Sequence, residues 1–462
     1  APAALRFSVA GETRPLRQKD DVEVSTVLPV EQVAIDAPVV FVGFGASAPE
    51  RGWDDFGDVD LEGKVALFLV NDPDFAATPD EPVYGLFGAR RMTYYGRWTY
   101  KFEEAARRGA AAALVIHETE AAGYGWNVAS SSPGENCAVV GAGAEVVPVT
   151  LQGWLHGDVA AEVLDAAGYA LDELRVGARR PDFEAFELDG VRFGADLTVA
   201  VETFDSSNVL AVLPGTSRPD EVVMVSAHWD AYGVGEPDAD GRTVRPGAND
   251  DALGIAGVLE VARVLKAGPP LARSVVFAAW TAEESGLLGS KAYTDDPVYP
   301  LETTVANLTF DILQTAGPAR DVILVGEGQS ELEDDLARFA ATQGRVVTPE
   351  SLPENGLFFR ADHFSLARQG VPVLLLMGIA GGSDLVDGGR AAGDRWIADY
   401  IANCYHQTCD AWSPNWDLRG AAQDIDLFRL LVEDLAGSTR WPEWKPGSEF
   451  KAVRDRSAAS RG

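Results

Sequence analysis

From about residue 199 onward, short apolar runs alternate with stretches of helical character, and this rhythm constrains the fold more than any other feature of the sequence. The apolar runs are Val222–Ser226, Val275–Trp280, Val305–Phe310, Val322–Val325 and Val371–Met377. Helical stretches such as Ala252–Ala267 and Glu331–Gln343 separate them. Strands that alternate with helices predict an α/β fold in which a mostly parallel, mixed sheet is covered by helices. In such folds the chemistry lies beyond the carboxyl ends of the strands.

The first half of the chain has a less regular pattern. Val39–Phe44 and Val65–Val70 are predicted as buried strands because they are rich in Val, Phe and Leu. Residues 102–108 have helical propensity and lead into an apolar run at 113–116, which predicts a helix followed by a strand. Residues 167–189 are predicted as a linker to the second half. No obvious catalytic group accompanies this part of the chain.

The charge balance and the length of the apolar runs exclude two classes of partner. The chain has 71 Asp and Glu residues against 38 Lys and Arg residues, and its net charge of −33 would repel a nucleic-acid backbone. The longest apolar run, around Val371–Ala380, is shorter than the roughly 18–20 residues that cross a bilayer. We therefore expect no nucleic-acid partner and no membrane span. Ala1–Arg6 lack the features of a signal peptide, so we expect that any such segment was removed or never present.

Histidine is scarce in this sequence, and one of the five residues stands out. His117 and His156 lie in the first half without a carboxylate cluster, so a surface or buried structural role is the better interpretation for them. His228 closely follows the apolar run at residues 222–226 and is therefore expected at the carboxyl edge of the sheet. Asp230 can accept the second ring N–H of His228, which is the usual arrangement for a metal-bound histidine.

Carboxylates occupy three further strand exits or turns. Asp250 and Asp251 precede a helix, where by themselves they would be interpreted as helix-capping residues. Glu283 and Glu284 follow an apolar strand, where adjacent acids usually form a solvated turn. Two such acids can also divide the labour, with one binding a metal ion and the other moving a proton. Asp311 directly follows the apolar run at residues 305–310.

His406, after a glycine-rich loop at residues 378–393, completes the set of candidate ligands. The set contains two imidazoles and three carboxylates: His228, Asp250, Glu284, Asp311 and His406. Nitrogen and oxygen ligands without a thiolate suit a pair of catalytic zinc ions. The three carboxylates and a hydroxide would balance two divalent cations, which leaves Glu283 as an uncoordinated base. Two such ions would activate water and polarise a carbonyl, so the set predicts metal-assisted amide hydrolysis.

A cysteine pair flanks His406. Cys404 and Cys409 are separated by four residues of one short segment. By itself, so close a pair is compatible with a disulfide, with a fragment of a metal site or with coincidence.

One set of motifs spans the second half of the chain: His228-x-Asp230, Gly247-Ala-x-Asp250-Asp251, Glu283-Glu284-x-Gly-Leu-Leu-Gly-Ser290, Asp311 and Tyr405-His406. This set resembles the co-catalytic di-zinc aminopeptidase family, which also includes glutamate carboxypeptidase and the transferrin receptor ectodomain. Three motifs lie in the first half: Val42-Gly-Phe-Gly45, Leu61-Glu-Gly-Lys-Val65 and Phe102-Glu-Glu-Ala-Ala-Arg-Arg-Gly-Ala110. These motifs are similar to the protease-associated domain that is inserted in many members of the family.

The resemblance implies the zinc exopeptidase fold with an inserted protease-associated β/α domain. A chain of 462 residues has room for two or three domains. We expect an N-terminal segment at 1–35, packed on the peptidase or the inserted domain, and a protease-associated domain at 36–190. The di-zinc peptidase domain is expected at 191–450, followed by a frayed tail at 451–462.

The family pattern implies a role for each candidate ligand. Asp250 would bridge both zinc ions. His228 and Asp311 would complete one site, and the other site would consist of Glu284 and His406. In related enzymes the peptide bond that follows the bridging aspartate is cis, so the same is expected after Asp250.

The pattern also implies which residues act on the substrate. Glu283 would take the proton from the attacking water and pass it to the leaving amine. Tyr405 matches a family tyrosine that hydrogen-bonds the tetrahedral oxyanion, with a packed aromatic ring as the alternative. Asp230 and Asp251 would orient the metal ligands without binding zinc themselves.

Arg360 and Asp362 fall where related enzymes contact substrate, although Ala361 stands where a serine is frequent. His363 lies in the same stretch and is expected to support the ligands, without being one of them.

The resemblance implies a metal-dependent exopeptidase with peptide substrates, and an aminopeptidase above all, because acidic groups around the metal would attract an α-amine. One alternative is a carboxypeptidase or dipeptidase of the glutamate carboxypeptidase type, for which Arg360 is the evident candidate to bind a carboxylate. A glutaminyl cyclase would have the same fold with one metal ion, but it is not expected to carry the inserted domain. A receptor-like binding protein without chemistry is disfavoured because all five ligands and Glu283 are present.

A few related secreted enzymes carry a similar disulfide around the segment that contains His406, and we expect a bridge between Cys404 and Cys409. Five residues along a bent loop can bring two Cα atoms within the roughly 4.4–6.8 Å that the bond requires. The bridge would leave Cys137 unpaired and implies a secreted or periplasmic enzyme.

Overall fold

The structure of the protein is a computed structural model, and it describes residues 4–130, 136–140 and 147–461. The chain forms two compact units, which we call unit 1 (Ala1–Phe204 with Pro353–Gly356) and unit 2 (Asp205–Leu352 with Leu357–Gly462). Each unit has a main β-sheet of its own. Among the described residues, no helix combines the length and the apolar character needed to cross a membrane.

Within its described residues, unit 1 contains ten strands and five α-helices. The strands are β1 (Ala4–Val9), β2 (Glu12–Leu16), β3 (Val22–Ser25), β4 (Gln32–Phe41), β5 (Ser47–Ala48), β6 (Trp53–Asp54), β7 (Val65–Leu69), β8 (Ala112–His117), β9 (Leu151–His156) and β10 (Phe186–Thr198). The helices are α1 (Trp98–Arg107), α2 (Thr119–Ala122), α3 (Trp126–Ala129), α4 (Gly157–Ala166) and α5 (Leu171–Gly177). Eight strands form one mixed sheet in the order β2-β1-β10-β4-β7-β8-β9-β3, with β4, β7, β8 and β9 parallel.

The central strands of unit 1 are apolar on both faces of the sheet. Every residue of β7 and β8 is buried. Alternate side chains enter two different hydrophobic cores, with Leu67 and Leu114 in one and Phe68 and Val115 in the other. Strands that are covered on both faces form continuous apolar runs, which is why the sequence predicts both of them correctly.

The prediction of a linker at residues 167–189 is wrong, because part of this segment is helical and packed. Leu171, at the start of α5, is buried in the same core as the side chain of Phe41 on β4. Few residues of this short helix face the core, so its apolar signal is weak. The strand β10 pairs with β1 and with β4 along its length, and residues on both sides of position 190 therefore belong to one sheet. The assignment of residues 36–190 to a protease-associated domain stays a prediction.

Within its described residues, unit 2 contains nine strands and seven α-helices. The strands are β11 (Val209–Leu213), β12 (Arg218–His228), β13 (Gly233–Val234), β14 (Val244–Arg245), β15 (Arg273–Trp280), β16 (Thr304–Asp311), β17 (Asp321–Leu324), β18 (Val346–Pro349) and β19 (Val373–Met377). The helices are α6 (Leu253–Ala267), α7 (Leu288–Asp295), α8 (Leu332–Thr342), α9 (His363–Arg368), α10 (Gly389–Asn403), α11 (Arg419–Gly437) and α12 (Lys451–Arg456). The main sheet has the order β11-β15-β12-β16-β19, with β11 antiparallel and the other neighbours parallel.

The predicted mostly parallel, mixed sheet covered by helices is therefore confirmed for unit 2. Four of the five predicted apolar runs lie in β12, β15, β16 and β19. The run at 322–325 forms β17, which pairs with β18 in a separate two-stranded sheet. Helices α6 and α11 pack Val261 and Leu431 into one core with Val223 of β12 and Val275 of β15. This core fixes the directions of the strands and so the edge at which they end.

The prediction of a frayed tail at residues 451–462 is also wrong. Residues 451–456 form α12, and Arg454 on this helix is 1% exposed. Its guanidinium donates hydrogen bonds to the carbonyl oxygens of Thr304 at 3.0 Å and Val305 at 3.4 Å. A buried arginine that satisfies backbone carbonyls anchors the segment, although the polar sequence around it is typical of a tail.

Candidate metal centre

Three parallel strands bring polar side chains to one edge of the unit 2 sheet. His228 is the last residue of β12, and Asp311 is the last residue of β16. Glu283 and Glu284 follow closely after the end of β15. The carboxyl ends of parallel strands meet at the same edge, and these four side chains therefore converge although they are far apart in the sequence.

Two further segments complete the cluster. A tight turn over Ala248–Ala252, directly before α6, presents Asp250. The peptide bond between Asp250 and Asp251 is cis, as the resemblance implies. The loop after α10 presents His406, which has a φ of 60°. Positive φ values are uncommon for residues other than glycine and concentrate at functional sites.

Asp250 lies at the centre of the cluster. One of its carboxylate oxygens is 3.1 Å from Nε2 of His228, and the other is 3.2 Å from Nε2 of His406. The Nε2 atom of His406 also lies 3.3 Å from a carboxylate oxygen of Glu284. Ligand atoms of His228, Asp250 and Glu284 all lie within 4.8 Å of one another. A single carboxylate thus faces two imidazoles, one on each oxygen, which is the arrangement expected of a bridging ligand.

The donor atoms fit zinc in both type and spacing. Zinc takes imidazole nitrogen and carboxylate oxygen as ligands at about 2.0–2.2 Å, so two ligands of a tetrahedral ion lie about 3.3 Å apart. The distances between the imidazoles and the carboxylates, 3.1, 3.2 and 3.3 Å, are close to this separation. Asp311 is not among the three residues that approach one another within 4.8 Å, and it adjoins the cluster on the side of Asp250.

Burial and mutual repulsion make the cluster attractive to cations. Burial, together with the charge of Asp250, raises the pKa of Glu284 to about 10 and that of Asp311 to about 8. Burial raises the pKa of Glu283 well above its usual value. For Asp250 itself, burial acts in the same direction, but hydrogen bonds from the two imidazoles lower its pKa to about 2. Cations that replaced the protons would relieve this repulsion, so the electrostatics agree with the donor set.

Asp230 holds the turn that carries the two glutamates. Its carboxylate accepts the backbone N–H of Glu283 at 3.1 Å and that of Glu284 at 3.2 Å. Nδ1 of His228 lies 3.2 Å from the carbonyl oxygen of Asp230 and 3.6 Å from its carboxylate. The backbone carbonyl is therefore the nearer partner of the ring, and the predicted carboxylate lies slightly farther away.

Asp251 joins the end of β12 to the start of α6. One of its carboxylate oxygens accepts the backbone N–H of His228 at 3.2 Å, and the other accepts that of Gly254 at 3.1 Å. A Cβ atom at Gly254 would lie 2.2 Å from the carboxylate, so this close approach requires glycine. Asp251 thus caps a helix and orients His228 at the same time, and the two interpretations of this residue are compatible.

Asp410, which the sequence analysis missed, holds the turn that presents Asp250. Its carboxylate accepts the backbone N–H groups of Asn249 and Asp250, each at 3.0 Å. Its carbonyl oxygen accepts the N–H of Ala248 at 2.9 Å. The contact between Asp410 and Asn249 spans 161 residues, so no local spacing could indicate it. Its position shortly after His406 was the available signal.

The variant Asp410→Asn is expected to weaken zinc binding by about 10–100-fold, because an amide offers one oxygen to the two backbone donors. The affinity is measured by competition with a chelator of known affinity. Asp182→Asn is the matched control, since Asp182 is exposed in unit 1 and paired with Arg180. An affinity equal to that of the unchanged protein would show that this carboxylate does not position Asp250.

Two tyrosines pack against His406. The ring centroid of Tyr405 lies 3.7 Å from that of His406, and the ring centroid of Tyr232 lies at 4.3 Å. Burial, with the charges of Asp250 and Asp311, raises the pKa of Tyr405 well above its usual value, so its hydroxyl remains a hydrogen-bond donor. Tyr232 is 47% exposed and was not predicted, because the sequence offers no motif that includes it.

Glu283 and Asp362 adjoin the cluster. A carboxylate oxygen of Glu283 lies 4.0 Å from Nε2 of His228, which is beyond hydrogen-bond distance. Burial raises the pKa of Asp362 to about 7, and its charge in turn raises the pKa of Glu283. One carboxyl oxygen of Asp362 is buried without a hydrogen-bond partner. Both predicted residues therefore lie next to the candidate ligands, and Asp362 has an oxygen free for a further donor.

Arg360 and His363 occupy different surroundings. The Nε atom of Arg360 is buried without a hydrogen-bond partner, and the positive charge of this residue acts on the ionisation of Tyr405. His363 is fully buried, its ring lies 5.0 Å from that of Phe358, and burial lowers its pKa to about 3. His363 is therefore a neutral residue among aromatic side chains, separate from the candidate ligands.

A disulfide between Cys404 and Cys409 closes the loop that presents His406, and this confirms the predicted bridge. The two Cα atoms are 4.7 Å apart. Cys137 is a free cysteine. Covalent closure of so short a loop limits the positions that His406 can adopt.

Thiol titration of the unfolded, unreduced protein is expected to find one free cysteine per chain, because two of the three cysteines are joined. After reduction the same assay should find all three. The variant Cys137→Ser is the control and should remove the signal of the unreduced protein. Three reactive thiols before reduction would contradict the bridge.

Residues 208–428 match the sequence profile of Peptidase family M28. The leupeptin-inactivating enzyme 1 of Streptomyces exfoliatus is 28% identical over 284 residues, which cover 59% of this chain and 58% of that protein. The aminopeptidase YwaD of Bacillus subtilis is 30% identical over 173 residues, which cover 36% of this chain and 34% of that protein.

The chain thus spans less than two thirds of the length of these relatives. Among solved structures, an aminopeptidase from Aneurinibacillus sp. strain AM-1 is 20% identical, with a TM-score of 0.43, over 97% of this chain and 82% of that chain. The matched segment begins one residue before β11 and ends within α11, so it contains every candidate ligand. Over residues 208–428, the chain is therefore similar to peptidase family M28.

Proposed function

We propose that this chain is a zinc-dependent aminopeptidase that removes N-terminal residues from peptides. The observation that carries the proposal is the position of Asp250, whose two oxygens face His228 and His406 at 3.1 and 3.2 Å. A carboxylate shared between two imidazoles is suited to hold two metal ions side by side. The match of residues 208–428 to the sequence profile of Peptidase family M28 supports the same chemistry.

Two zinc ions would be held by five residues. Asp250 would bridge the ions. His228 and Asp311 would complete one site, and Glu284 with His406 would complete the other. When bound, the ions would polarise the scissile carbonyl and favour the deprotonation of water.

Glu283 is suited to move the proton. Its carboxylate lies 4.0 Å from Nε2 of His228, so it adjoins the candidate ligands without contacting them. From this position the carboxylate accepts a proton from the attacking water and returns it to the leaving amine. Asp230 holds Glu283 in place by accepting its backbone N–H at 3.1 Å.

Tyr405 is suited to stabilise the negative charge that develops on the carbonyl oxygen. Its raised pKa keeps the hydroxyl protonated at neutral pH, so the group can donate a hydrogen bond to an oxyanion. Packing of its ring at 3.7 Å from the ring of His406 fixes the hydroxyl relative to the candidate ligands. A hydrogen-bond donor held in advance of the reaction needs no reorganisation during it.

The acidic groups beside the cluster favour a substrate with a free α-amine. Glu283, Asp311 and Asp362 are buried near one another, and burial raises the pKa of each carboxyl group. A protonated amine brought beside them would find an acceptor in the unpartnered oxygen of Asp362, a carboxylate that the metal ions do not use. This is the reason for proposing an aminopeptidase ahead of a carboxypeptidase.

The proposal is tested on the metal-loaded full chain. The metal content after dialysis is measured by mass spectrometry, and hydrolysis is measured with Leu-p-nitroanilide, N-acetyl-Leu-p-nitroanilide and the dipeptide N-acetyl-Leu-Leu. Two zinc ions per chain and hydrolysis of the free-amine substrate are expected. Cleavage of N-acetyl-Leu-Leu instead would support a carboxypeptidase. Tight zinc binding without cleavage of any substrate would support a receptor-like protein.

We also propose that the protein works in an oxidising compartment, as a secreted or periplasmic enzyme, and that unit 1 contains a protease-associated domain. The disulfide between Cys404 and Cys409 supports the first point, because reducing compartments disfavour such bonds. The motifs in the first half of the sequence support the second. Recovery of the protein from the cytoplasm of its source with three reduced thiols would overturn the assignment to an oxidising compartment.

A further inference from the structure

A small cleft beside the candidate metal ligands contains one arginine. The cleft is lined by Tyr232 and Arg245 together with Asp250, Glu284, His406 and Asp410. Three ligand carboxylates and a hydroxide would already balance two divalent cations. The charge of Arg245 is therefore an additional positive charge that the proposed metal centre does not use.

The guanidinium of Arg245 has few partners. Its Nη1 atom is buried without a hydrogen-bond partner, and its Nη2 atom reaches the carbonyl oxygen of Glu236 at 3.4 Å. In the part of the chain that the structure describes, no carboxylate forms an ion pair with it. Arg242, three residues earlier, pairs with Asp238 at 2.7 Å and with Asp240 at 3.2 Å. In so acidic a chain, an arginine left without a carboxylate partner is available for an anion from outside.

The hairpin of β13 and β14 holds Arg245 in this position. Gly233 pairs with Arg245 in the hairpin, and the guanidinium lies against Gly235. A Cβ atom at Gly235 would lie 2.2 Å from Nη1 of Arg245. The absence of a side chain at Gly235 thus leaves the space that the guanidinium occupies.

A further contact ties the hairpin to the disulfide-closed loop. The hydroxyl of Thr408 donates a hydrogen bond to the carboxylate of Asp238, which also accepts the backbone N–H of Arg242 at 2.8 Å. The hairpin is therefore attached to the loop that presents His406. The strand pairing of the hairpin and its hydrogen bond to this loop therefore position Arg245 beside the candidate metal ligands, without an ion pair of its own.

The charges around the centre differ between its two sides. The charge of Asp362 raises the pKa of Glu283 and of Asp311, on the side where the proposed function places the substrate amine. Arg245 is the one cation beside the carboxylates of Asp250, Glu284 and Asp410 among the described residues that line its cleft with His406. If the amine of a bound peptide lies beside Asp362, the residue after the scissile bond would lie toward Arg245.

We propose that Arg245 binds a carboxylate on the leaving-group side of the substrate, so that the preferred substrates are peptides with an acidic group after the scissile bond. This proposal rests on the aminopeptidase function proposed above. Two sources supply the same chemistry: the free C-terminal carboxylate of a dipeptide, or an acidic side chain in the second residue. Arginine binds a carboxylate through two parallel hydrogen bonds, so a substrate with a carboxylate is favoured over one with an amide of the same shape.

The test compares kcat/KM for two pairs of substrates that differ in one carboxylate. Leu-Gly against Leu-Gly-amide reports on the terminal carboxylate, and Leu-Glu-amide against Leu-Gln-amide reports on the side chain. The unchanged enzyme is expected to favour the acid in at least one pair by about 10–100-fold, because an unmatched charge or hydrogen bond is costly at such a site. Arg245→Gln should bring that ratio close to one, and Arg245→Lys should retain part of it.

Two further variants separate the role of Arg245 from general effects on the hairpin. Gly235→Ala is expected to lower the same ratio, since the new methyl group displaces the guanidinium. Arg242→Gln removes a positive charge from the same hairpin, but Asp238 keeps its backbone donors, so the ratio should remain that of the unchanged enzyme. A ratio that survives Arg245→Gln, or that Arg242→Gln abolishes equally, would overturn the proposal.

Hydrolysis of Leu-p-nitroanilide distinguishes this proposal from the function on which it rests. This substrate has no carboxylate and tests the aminopeptidase activity alone. If the unchanged enzyme cleaves it and both acid-to-amide ratios are close to one, the assignment of Arg245 fails and the aminopeptidase function stands. If no substrate is cleaved by the zinc-loaded enzyme, both fail.

Discussion

Replacement of Glu283 by glutamine is expected to lower kcat by about 10²–10⁴-fold while the zinc content remains at that of the unchanged enzyme. A carboxamide has nearly the same shape as the carboxylate but cannot accept the proton of the attacking water. Glu283 lies 4.0 Å from Nε2 of His228 and does not contact the candidate ligands directly, so its replacement should leave the metal in place. The measurements are kcat with Leu-p-nitroanilide and zinc per chain after dialysis.

The neighbouring residue offers a matched control. Glu284→Gln is the same chemical change one position later, at a residue whose carboxylate lies 3.3 Å from Nε2 of His406. We expect this variant to lose zinc as well as activity. Activity of Glu283→Gln within a few fold of the unchanged enzyme would remove Glu283 from the mechanism, and loss of zinc in Glu283→Gln alone would exchange the roles of the two residues.

Replacement of Asp250 by alanine is expected to abolish measurable hydrolysis and to weaken zinc binding by more than about 100-fold. Asp250 contacts both imidazoles of the cluster, so its removal affects both proposed sites at once. Ligands are expected to matter more than the residues that orient them, whose loss costs about 10–100-fold in affinity. Zinc content is measured after dialysis against a weak chelator.

Asp240→Ala is the control for this variant, since Asp240 is an exposed aspartate in the hairpin of β13 and β14. It should retain zinc and hydrolysis of Leu-p-nitroanilide. Circular dichroism at far-ultraviolet wavelengths should show that Asp250→Ala is folded. A folded Asp250→Ala variant with two zinc ions per chain would contradict the role of Asp250 as the bridging ligand.

The sequence predicted the residues at the strand ends because the physics of a parallel sheet brings such ends together. His228 and Asp311 end β12 and β16, and both could be recognised from the apolar runs before them. His406 was predicted as well, although it lies in a loop with no strand before it. His228 and Asp311 could be predicted because each follows a strong local signal.

The residues that position the ligands were harder to find, because their contacts join distant parts of the chain. Asp410 holds the turn of Asp250 through two backbone N–H groups, and backbone donors leave no mark in the sequence. The carbonyl oxygen of Asp230 lies nearer to the His228 ring than the predicted carboxylate does, although these two residues are only two positions apart. Side-chain identity alone does not determine which of several acceptors a donor meets.

The errors in the fold have a common cause as well. The segment at 451–462 is polar, but one buried arginine, Arg454, anchors it through the carbonyl oxygens of Thr304 and Val305. The segment at 167–189 contains a short helix with few apolar anchors, of which Leu171 is buried. Composition averages over such segments, whereas a single well-placed side chain decides whether they pack.

The hydrogen bond between Thr408 and Asp238 has a consequence for attempts to alter substrate preference by directed evolution. It joins residues 170 positions apart, one in the hairpin that carries Arg245 and the other in the loop that carries His406. We therefore expect mutations that reshape the hairpin to disturb a candidate metal ligand as well, so that a gain in selectivity would lower the metal occupancy. A library that diversifies positions 233–237 and 243–245 while it keeps Asp238 and Thr408 constant would separate these two properties.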